Sequence, residues 1–144
     1  MKPGIDYIGA AVGIFLLNEK EELLLLKRSQ NAKNERGHWE APGGAMEFGE
    51  TLEAAARREF REELSAEIEI MNQLPAEDHI IPSDKQHWVA TTFVAKLKKG
   101  GVPKIMEPHK FDAMGWFPLD SPAQPLSIIT ELNIKRYRKL KGLK

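Results

Sequence analysis

The sequence predicts an α/β protein in which a mixed β-sheet is flanked by helices. Three observations predict it: several short apolar segments typical of strands, a helix-forming segment in the middle of the chain, and another near its end. Elements in this order fit a sheet covered by helices. With 144 residues, the chain has room for one hydrophobic core, so we expect residues 1–144 to form a single domain.

The first part of the chain predicts two strands and a glycine-containing loop. Tyr7–Leu17 is rich in apolar and small residues, Leu23–Lys27 is strand-like, and the polar stretch between them resembles a turn. We therefore expect these two strands to pair as a hairpin. The polar segment Ser29–His38 is predicted to be a loop, and Gly43-Gly44 beyond it permits backbone shapes that other residues avoid.

The most clearly marked element is the helix predicted at Leu52–Leu64. It contains no Pro or Gly, it is rich in Ala, Glu and Arg, and Thr51 is a good N-cap residue. The later elements are predicted as a strand at Glu67–Met71, mostly loop at Leu74–Lys85, strands at His87–Leu97 and Gly115–Phe117, and a closing helix at Leu126–Leu140.

Composition and charge exclude several classes of protein. The chain has no cysteine, which excludes disulfides, cysteine-ligated zinc and a thiol nucleophile. Basic and acidic residues both number 21, and the basic tail from Lys135 fits a solvated helix face better than a nucleic-acid site. Without a signal-like N-terminus or a membrane-length apolar run, we expect a cytoplasmic protein with no membrane and no stable nucleic-acid partner.

Three glutamates of the predicted middle helix indicate a metal site. Glu59, Glu62 and Glu63 are three and four residues apart and therefore lie close together on the helix. Glu59 and Glu63 also continue the apolar stripe that faces the protein, where crowded carboxylates repel one another. A bound Mg²⁺ or Mn²⁺ would resolve the conflict because these ions prefer oxygen ligands. The alternative is a solvated helix with salt bridges to neighbouring arginines.

The residues around these glutamates resemble the Nudix box, a loop–helix–loop signature. In its spacing, a glycine is followed after five residues by a Glu, then after seven by Arg-Glu, and shortly by a Glu pair. The matching residues are Gly44, Glu50, Arg58, Glu59, Glu62 and Glu63. Ser65 and Ala66 replace the final glycine and bulky apolar residue of the signature. Ser can end the helix in a left-handed conformation at a cost of about 1 kcal/mol.

The resemblance implies a Nudix-type α/β/α sandwich that hydrolyses a nucleotide with Mg²⁺. Glu59, Glu62 and Glu63 would be metal ligands, and Gly44 would offer a backbone carbonyl. Glu59 or Glu62 would also act in catalysis. The two remaining matching residues, Glu50 and Arg58, would form a structural salt bridge. The resemblance is also compatible with a homodimer.

Outside the box, the resemblance is weaker. Arg28 follows the second predicted strand, where MutT-like members place a phosphate-contacting Arg; the alternative is an ordinary surface Arg. Glu107 lies in a segment that resembles a loop of nucleotide-cleaving members, which makes it a candidate ligand or general base, or else a solvated carboxylate. His109 in the same loop and the aromatic residues Trp39, Phe48, Trp88 and Phe111 are not assigned to the site.

Three functions remain open from the sequence. The first is a MutT-like nucleoside triphosphate pyrophosphohydrolase, which the short chain, Arg28 and the Glu107 loop favour. The second is an ADP-ribose or nucleotide-sugar pyrophosphatase, which Pro82 favours because it stands sixteen residues beyond Ala66. The third is a nucleotide-sensing module without activity, a class that usually loses the carboxylates retained here.

Overall fold

A computed structural model describes residues 1–142, in which eight strands, two α-helices and one 3₁₀ turn follow one another. The strands are β1 (Gly9–Leu16), β2 (Glu22–Arg28), β3 (Trp39–Glu40), β4 (Gly43–Ala45), β5 (Ile68–Gln73), β6 (Glu77–Ile81), β7 (Gln86–Leu97) and β8 (Phe111–Pro118). The helices are α1 (Leu52–Leu64) and α2 (Ile128–Leu140), and the 3₁₀ turn is Pro82–Asp84. No helix in residues 1–142 is long and apolar enough to cross a membrane.

The strands form a mixed five-stranded sheet and a smaller three-stranded sheet. The long strand β7 pairs in parallel with β1 and antiparallel with β5 and β6, and β4 pairs with the free edge of β1. In the smaller sheet, β2 lies between β3 and β8, and all pairs are antiparallel. The mixed α/β fold predicted from the sequence is confirmed.

The large sheet is covered on both faces around its central strands β1 and β7, which carry buried residues on both sides. Helix α1 packs Ala56 and Phe60 against one face, which includes Ile14. On the other face, Phe15 meets Tyr137 of α2 in an edge-to-face contact with ring centroids 5.8 Å apart. Alternating side chains of a single strand thus contribute to two separate clusters.

Helix α1 has the predicted boundaries, Leu52–Leu64. The Thr51 hydroxyl accepts a hydrogen bond from the Ala54 amide, so this residue is the N-cap. Ser65 ends the helix with φ 54° and ψ 38°, and its amide donates to the Arg61 carbonyl. The prediction that Ser adopts the left-handed conformation of the missing glycine is therefore confirmed.

The predicted hairpin of the first two strands is wrong. β1 and β2 belong to different sheets, and only a bridge between Leu17 and Leu23 joins them. Both strands are buried, so the backbone N–H and C=O groups along both of their edges need hydrogen-bond partners, and these come from distant parts of the chain. The turn between β1 and β2 reverses the chain direction, but it does not determine which strands pair with β2.

The segment Leu74–Lys85 is more ordered than predicted. Its residues Glu77–Ile81 form strand β6, because β7 is long enough to pair with both β5 and β6. Pro75 and Pro82 bound this strand without interrupting it. The strand predicted at Gly115–Phe117 is also longer, since it pairs along the whole of β2.

Candidate functional site

The candidate site lies where the second half of α1 meets β4 and the segment before β8. The amides of Lys104 and Met106 donate hydrogen bonds to the carbonyls of Leu64 and Glu63, at 3.0 Å each. These carbonyls at the end of a helix have no partner within it. The segment therefore completes the helix end, and it carries Glu107 to the acidic side of α1.

Glu63 is a buried carboxylate, only 6 % exposed. One carboxylate oxygen accepts a hydrogen bond from the Gly43 amide at 2.9 Å. Burial raises the pKa of Glu63 well above its ordinary value; the Gly43 hydrogen bond opposes this, and the charges of Glu59, Glu40 and Glu107 add to it. A buried carboxylate near three others, with one amide donor, is an arrangement that a cation stabilises.

Glu59 lies against the backbone of Gly44. A Cβ atom at this glycine would come within 2.6 Å of both Glu59 carboxylate oxygens, so the absence of a side chain makes room for the carboxylate. Burial raises the pKa of Glu59, and a hydrogen bond from Arg58 partly offsets that effect. The glycine predicted from the signature is therefore adjacent to one of the predicted metal ligands.

Arg58 binds several carboxylates through one guanidinium group, and we call this set the Arg58 network. Its Nε and Nη2 atoms lie 2.6 and 2.9 Å from the Glu50 carboxylate oxygens, so the two side chains are paired; the structural role expected of this pair stays a prediction. Its Nη1 atom lies 2.9 Å from Glu59 and 3.3 Å from Glu62. The Glu62 side chain is 54 % exposed, so it points away from buried Glu63 and toward solvent.

The Glu50–Arg58 pair has an expected pH signature. Hydrogen bonds from Arg58, helped by the Glu47 amide, hold the pKa of Glu50 at about 2 instead of 4.5. A carboxyl group with a lowered pKa stabilises the folded protein when the pH is above the ordinary pKa of that group. The stabilisation is lost as the pH falls from the ordinary pKa toward the lowered pKa. Glu50→Gln should therefore lower the melting temperature at pH 7, by an amount that shrinks below about pH 4.5.

Thermal denaturation from pH 7 to pH 2.5 measures this effect. Glu19→Gln is the matched control, since Glu19 is an exposed glutamate outside the Arg58 network. A difference between wild type and Glu50→Gln that stays constant down to pH 2.5 would contradict the assigned ion pair.

Glu107 approaches the same group of carboxylates and is paired with the positively charged side chain of Lys110. Its carboxylate lies 3.2 Å from the Lys110 ammonium group and is 26 % exposed. Burial opposes the charge on Lys110, but the Glu107 hydrogen bond and the charges of Glu107, Glu63 and Glu59 together raise the Lys110 pKa. Lys110 thus supplies positive charge at this cluster of acids.

The carboxylates of this site are oxygen donors that fit a hard divalent cation, although they do not converge on one point. They are Glu59, Glu62, Glu63 and Glu107. In the part of the chain that the structure describes, no three acidic or histidine side chains already converge as a metal centre. The reason is visible in their contacts, since Glu59 and Glu62 bind Arg58 and Glu107 binds Lys110. Buried Glu63, with carboxylate neighbours and oxygen donors only, matches the ligand preference of Mg²⁺ and Mn²⁺.

A cleft of about 670 Å³ extends from Glu63 across the large sheet. Arg28 lies along it, but its guanidinium group is engaged: Nη1 binds Glu40 at 2.9 Å, and Nη2 and Nε bind the side chain and carbonyl of Asn34 at 2.9 and 3.2 Å. These contacts tie the loop 29–38 to the strands. The phosphate contact predicted for Arg28 remains a prediction. The structure adds that the same side chain binds the loop 29–38.

Glu40, His79 and Lys110 are among the cleft residues that the sequence did not indicate. Glu40 stands two residues before Pro42 in the glycine-containing segment, and Lys110 is three residues after Glu107, so both had a positional signal. His79 had none, because it lay in a segment predicted as loop. His109, Trp88 and Phe111 also line the cleft, whereas Trp39 packs on Phe117 and Phe48 is fully exposed.

Comparisons with known proteins agree with this geometry. The model of the NUDIX domain family matches residues 8–137. The chain is 33% identical over 129 residues to the 8-oxo-dGDP phosphatase NUDT18 of Mus musculus, covering 88% of the chain and 36% of that protein. It is 30% identical to the RNA pyrophosphohydrolase of Acinetobacter baylyi, covering 89% of the chain and 82% of that enzyme.

A solved structure shows the same similarity in three dimensions. The MutT NUDIX hydrolase from Burkholderia pseudomallei superposes with a TM-score of 0.81 at 33% identity, covering 90% of this chain and 98% of that one. By contrast, the chain spans about a third of the length of the mouse relative.

Proposed function

Since the chain belongs to the NUDIX domain family, we propose that it hydrolyses a phosphoanhydride bond of a nucleotide with the help of Mg²⁺ or Mn²⁺. The observation that carries the proposal is buried Glu63, whose charge is surrounded by those of Glu59, Glu40 and Glu107. Burying an unpaired carboxylate costs several kcal/mol, and a fold that needed only stability would place an apolar residue there. A metal site explains why an acid is present.

We assign Glu59, Glu62 and Glu63 as the residues that would hold the cation, with the backbone at Gly44 as a neighbouring oxygen donor. Glu63 is already buried at the site, and Glu59 lies against Gly44. Glu62 has to leave Arg58 and turn inward, which its exposed side chain allows. When bound, the cation supplies positive charge that neutralises phosphate oxygens.

The protein must also accept a proton from the attacking water. Attack at phosphorus forms one P–O bond and breaks the P–O bond of the leaving phosphate, while a carboxylate takes the proton. Glu107 is our first candidate for this base because it approaches the acidic cluster and is only partly exposed. Glu59, whose pKa is raised by burial, is the second.

For the substrate, we propose a nucleoside triphosphate, cleaved to a monophosphate and pyrophosphate. The cleft of about 670 Å³ has a volume suited to a nucleotide, and Arg28 and Lys110 line it with positive charge. The relatives named above act on 8-oxo-dGDP and on RNA, so nucleoside diphosphates and RNA 5′ ends belong among the tested substrates. ADP-ribose tests the alternative suggested by Pro82.

The deciding experiment measures release of phosphate and pyrophosphate from this panel, with Mg²⁺, with Mn²⁺ and with excess EDTA. We expect turnover with either ion, none with EDTA, and the highest kcat/KM for a triphosphate. Full turnover in EDTA would contradict the metal assignment. Binding of nucleotides without any turnover would instead identify a nucleotide-sensing module.

A further inference from the structure

Gly13 lies in the middle of β1 without a structural need to be glycine. Its backbone is not in the left-handed region that favours glycine. A Cβ atom placed on it would meet only the Thr92 hydroxyl oxygen at 3.4 Å and the Pro42 carbonyl at 3.9 Å. Glycine weakens a strand, and in a strand interior it often marks a place where a ligand approaches the backbone closely.

Gly13 belongs to a group of small residues that lines the cleft. In the parallel pairing of β1 and β7, Ala11 lies beside Ala90 and Gly13 beside Thr92. Strand alternation places all four on one face of the sheet, and all four line the cleft. We call these four residues the small-residue floor. Such a surface is flat enough for a planar ring to lie close to the backbone.

His79 and Trp88 stand at one edge of this floor, opposite each other on β6 and β7. Trp88 is fixed, since its indole N–H donates to Gln86 at 2.9 Å. His79 is only 4 % exposed and lines the cleft. Burial lowers the pKa of His79 and so favours the neutral ring, opposed by the charge of Asp78. The neutral ring carries one donor and one acceptor.

We propose that the small-residue floor receives the flat face of a nucleobase and that His79 hydrogen-bonds its edge. This inference rests on the proposed function in taking the ligand to be a nucleotide. Every nucleobase offers a planar ring with donors and acceptors along its edge, which matches a flat floor beside a neutral imidazole.

The position of the floor relative to the acidic cluster supports this orientation. Gly13 pairs with Gly43 of β4, whose amide donates to Glu63. The phosphate end of a bound nucleotide would therefore lie beside β4, and the base would lie toward β6. Three strand spacings separate β4 from β6, a distance of about 14 Å at about 4.8 Å per step, which is comparable with the length of a nucleotide.

Gly13→Ala tests the floor because its effects on stability and binding should have opposite signs. Without ligand, the melting temperature should hold or rise, since the added methyl group has room and glycine is a poor strand residue. The affinity for AMP, GMP, CMP and UMP, measured calorimetrically with Mg²⁺, should fall about tenfold or more. Inorganic pyrophosphate, which has no base, should bind as it does to the wild type.

Val89→Ala is the matched control for the floor, because Val89 is adjacent to Ala90 on β7 but outside the cleft. This substitution should leave the affinity for the monophosphates and the affinity for pyrophosphate unchanged. Monophosphate affinity that Gly13→Ala does not change, or an equal loss for pyrophosphate, would overturn the proposal.

Two substitutions of His79 test its hydrogen bonds separately from its bulk. His79→Phe keeps a planar ring but removes the donor and the acceptor, so it should weaken binding of the preferred monophosphate about tenfold or more and level the ranking of the four bases. His79→Gln keeps both groups and should retain the ranking. A ranking that survives in His79→Phe would overturn the role of this residue.

The two proposals fail in different ways. A chain whose affinity for monophosphates is lowered by Gly13→Ala, yet which cleaves no nucleotide, would refute the hydrolase proposal alone. A chain that cleaves nucleotides with the same kcat/KM before and after Gly13→Ala would refute the base site alone.

Discussion

Replacing Glu63 by Gln is expected to lower kcat by about a hundredfold or more, while the metal-free protein stays as stable as the wild type or becomes more stable. Glutamine keeps the oxygen that accepts the Gly43 hydrogen bond at 2.9 Å, but it loses the charge that we propose binds the cation. Removing that charge also relieves repulsion among the neighbouring carboxylates. Turnover at saturating Mg²⁺ and melting temperature in EDTA measure the two effects.

The stability effect should depend on pH with a definite sign. Because burial raises the pKa of Glu63, its ionised form destabilises the folded protein at neutral pH. The wild type should therefore be the less stable protein above that raised pKa, and the difference should disappear as the pH falls to the ordinary value of 4.5. Glu19→Gln, at an exposed glutamate between β1 and β2, should change neither kcat nor stability. Wild-type turnover in Glu63→Gln would remove Glu63 from the metal site.

Replacing Glu107 by Gln is expected to slow the chemical step by about a hundredfold if this carboxylate takes the proton from water. A Mg²⁺ titration without substrate should change little, because the carboxylates that we assign as metal ligands are on α1. Single-turnover rates with a nucleoside triphosphate and with ADP-ribose separate the substrate classes. The triphosphate should be the better wild-type substrate and should suffer the larger loss.

Asp112→Asn is the matched control for Glu107, since Asp112 is an exposed carboxylate a few residues further along the same segment. It should leave the single-turnover rate unchanged. An unaffected rate in Glu107→Gln would place the base on α1, with Glu59 the next residue to replace. A higher wild-type kcat/KM for ADP-ribose would favour the alternative suggested by Pro82.

The parts of this fold that local sequence governs could be predicted. Helix α1 has the predicted boundaries because a capping residue, Thr51, begins it and no Pro or Gly interrupts it. The inward position of Glu63 followed from helical periodicity, and the left-handed Ser65 followed from its place in the signature. Each of these depends on residues within two turns of a helix.

The parts that depend on distant pairing could not be predicted. The turn between β1 and β2 suggested a hairpin. A buried strand, however, needs hydrogen-bond partners along both edges, and no local sequence pattern reveals which strands supply them. For the same reason, His79 came to the cleft only through the pairing of β6 with β7. Helical spacing placed Glu62 beside Glu63, but it could not show that Arg58 draws Glu62 toward solvent.

The Arg58 network has a consequence for how this protein can vary between species. Because one guanidinium group binds Glu50, Glu59 and Glu62, losing any one carboxylate leaves more of its positive charge for the other two. Substitutions at these positions therefore have coupled effects, and double variants will depart from the sum of the single ones. Loss of Glu50 would therefore change the positive charge that Arg58 offers to Glu59 and Glu62, and we expect substitutions at these positions to occur together.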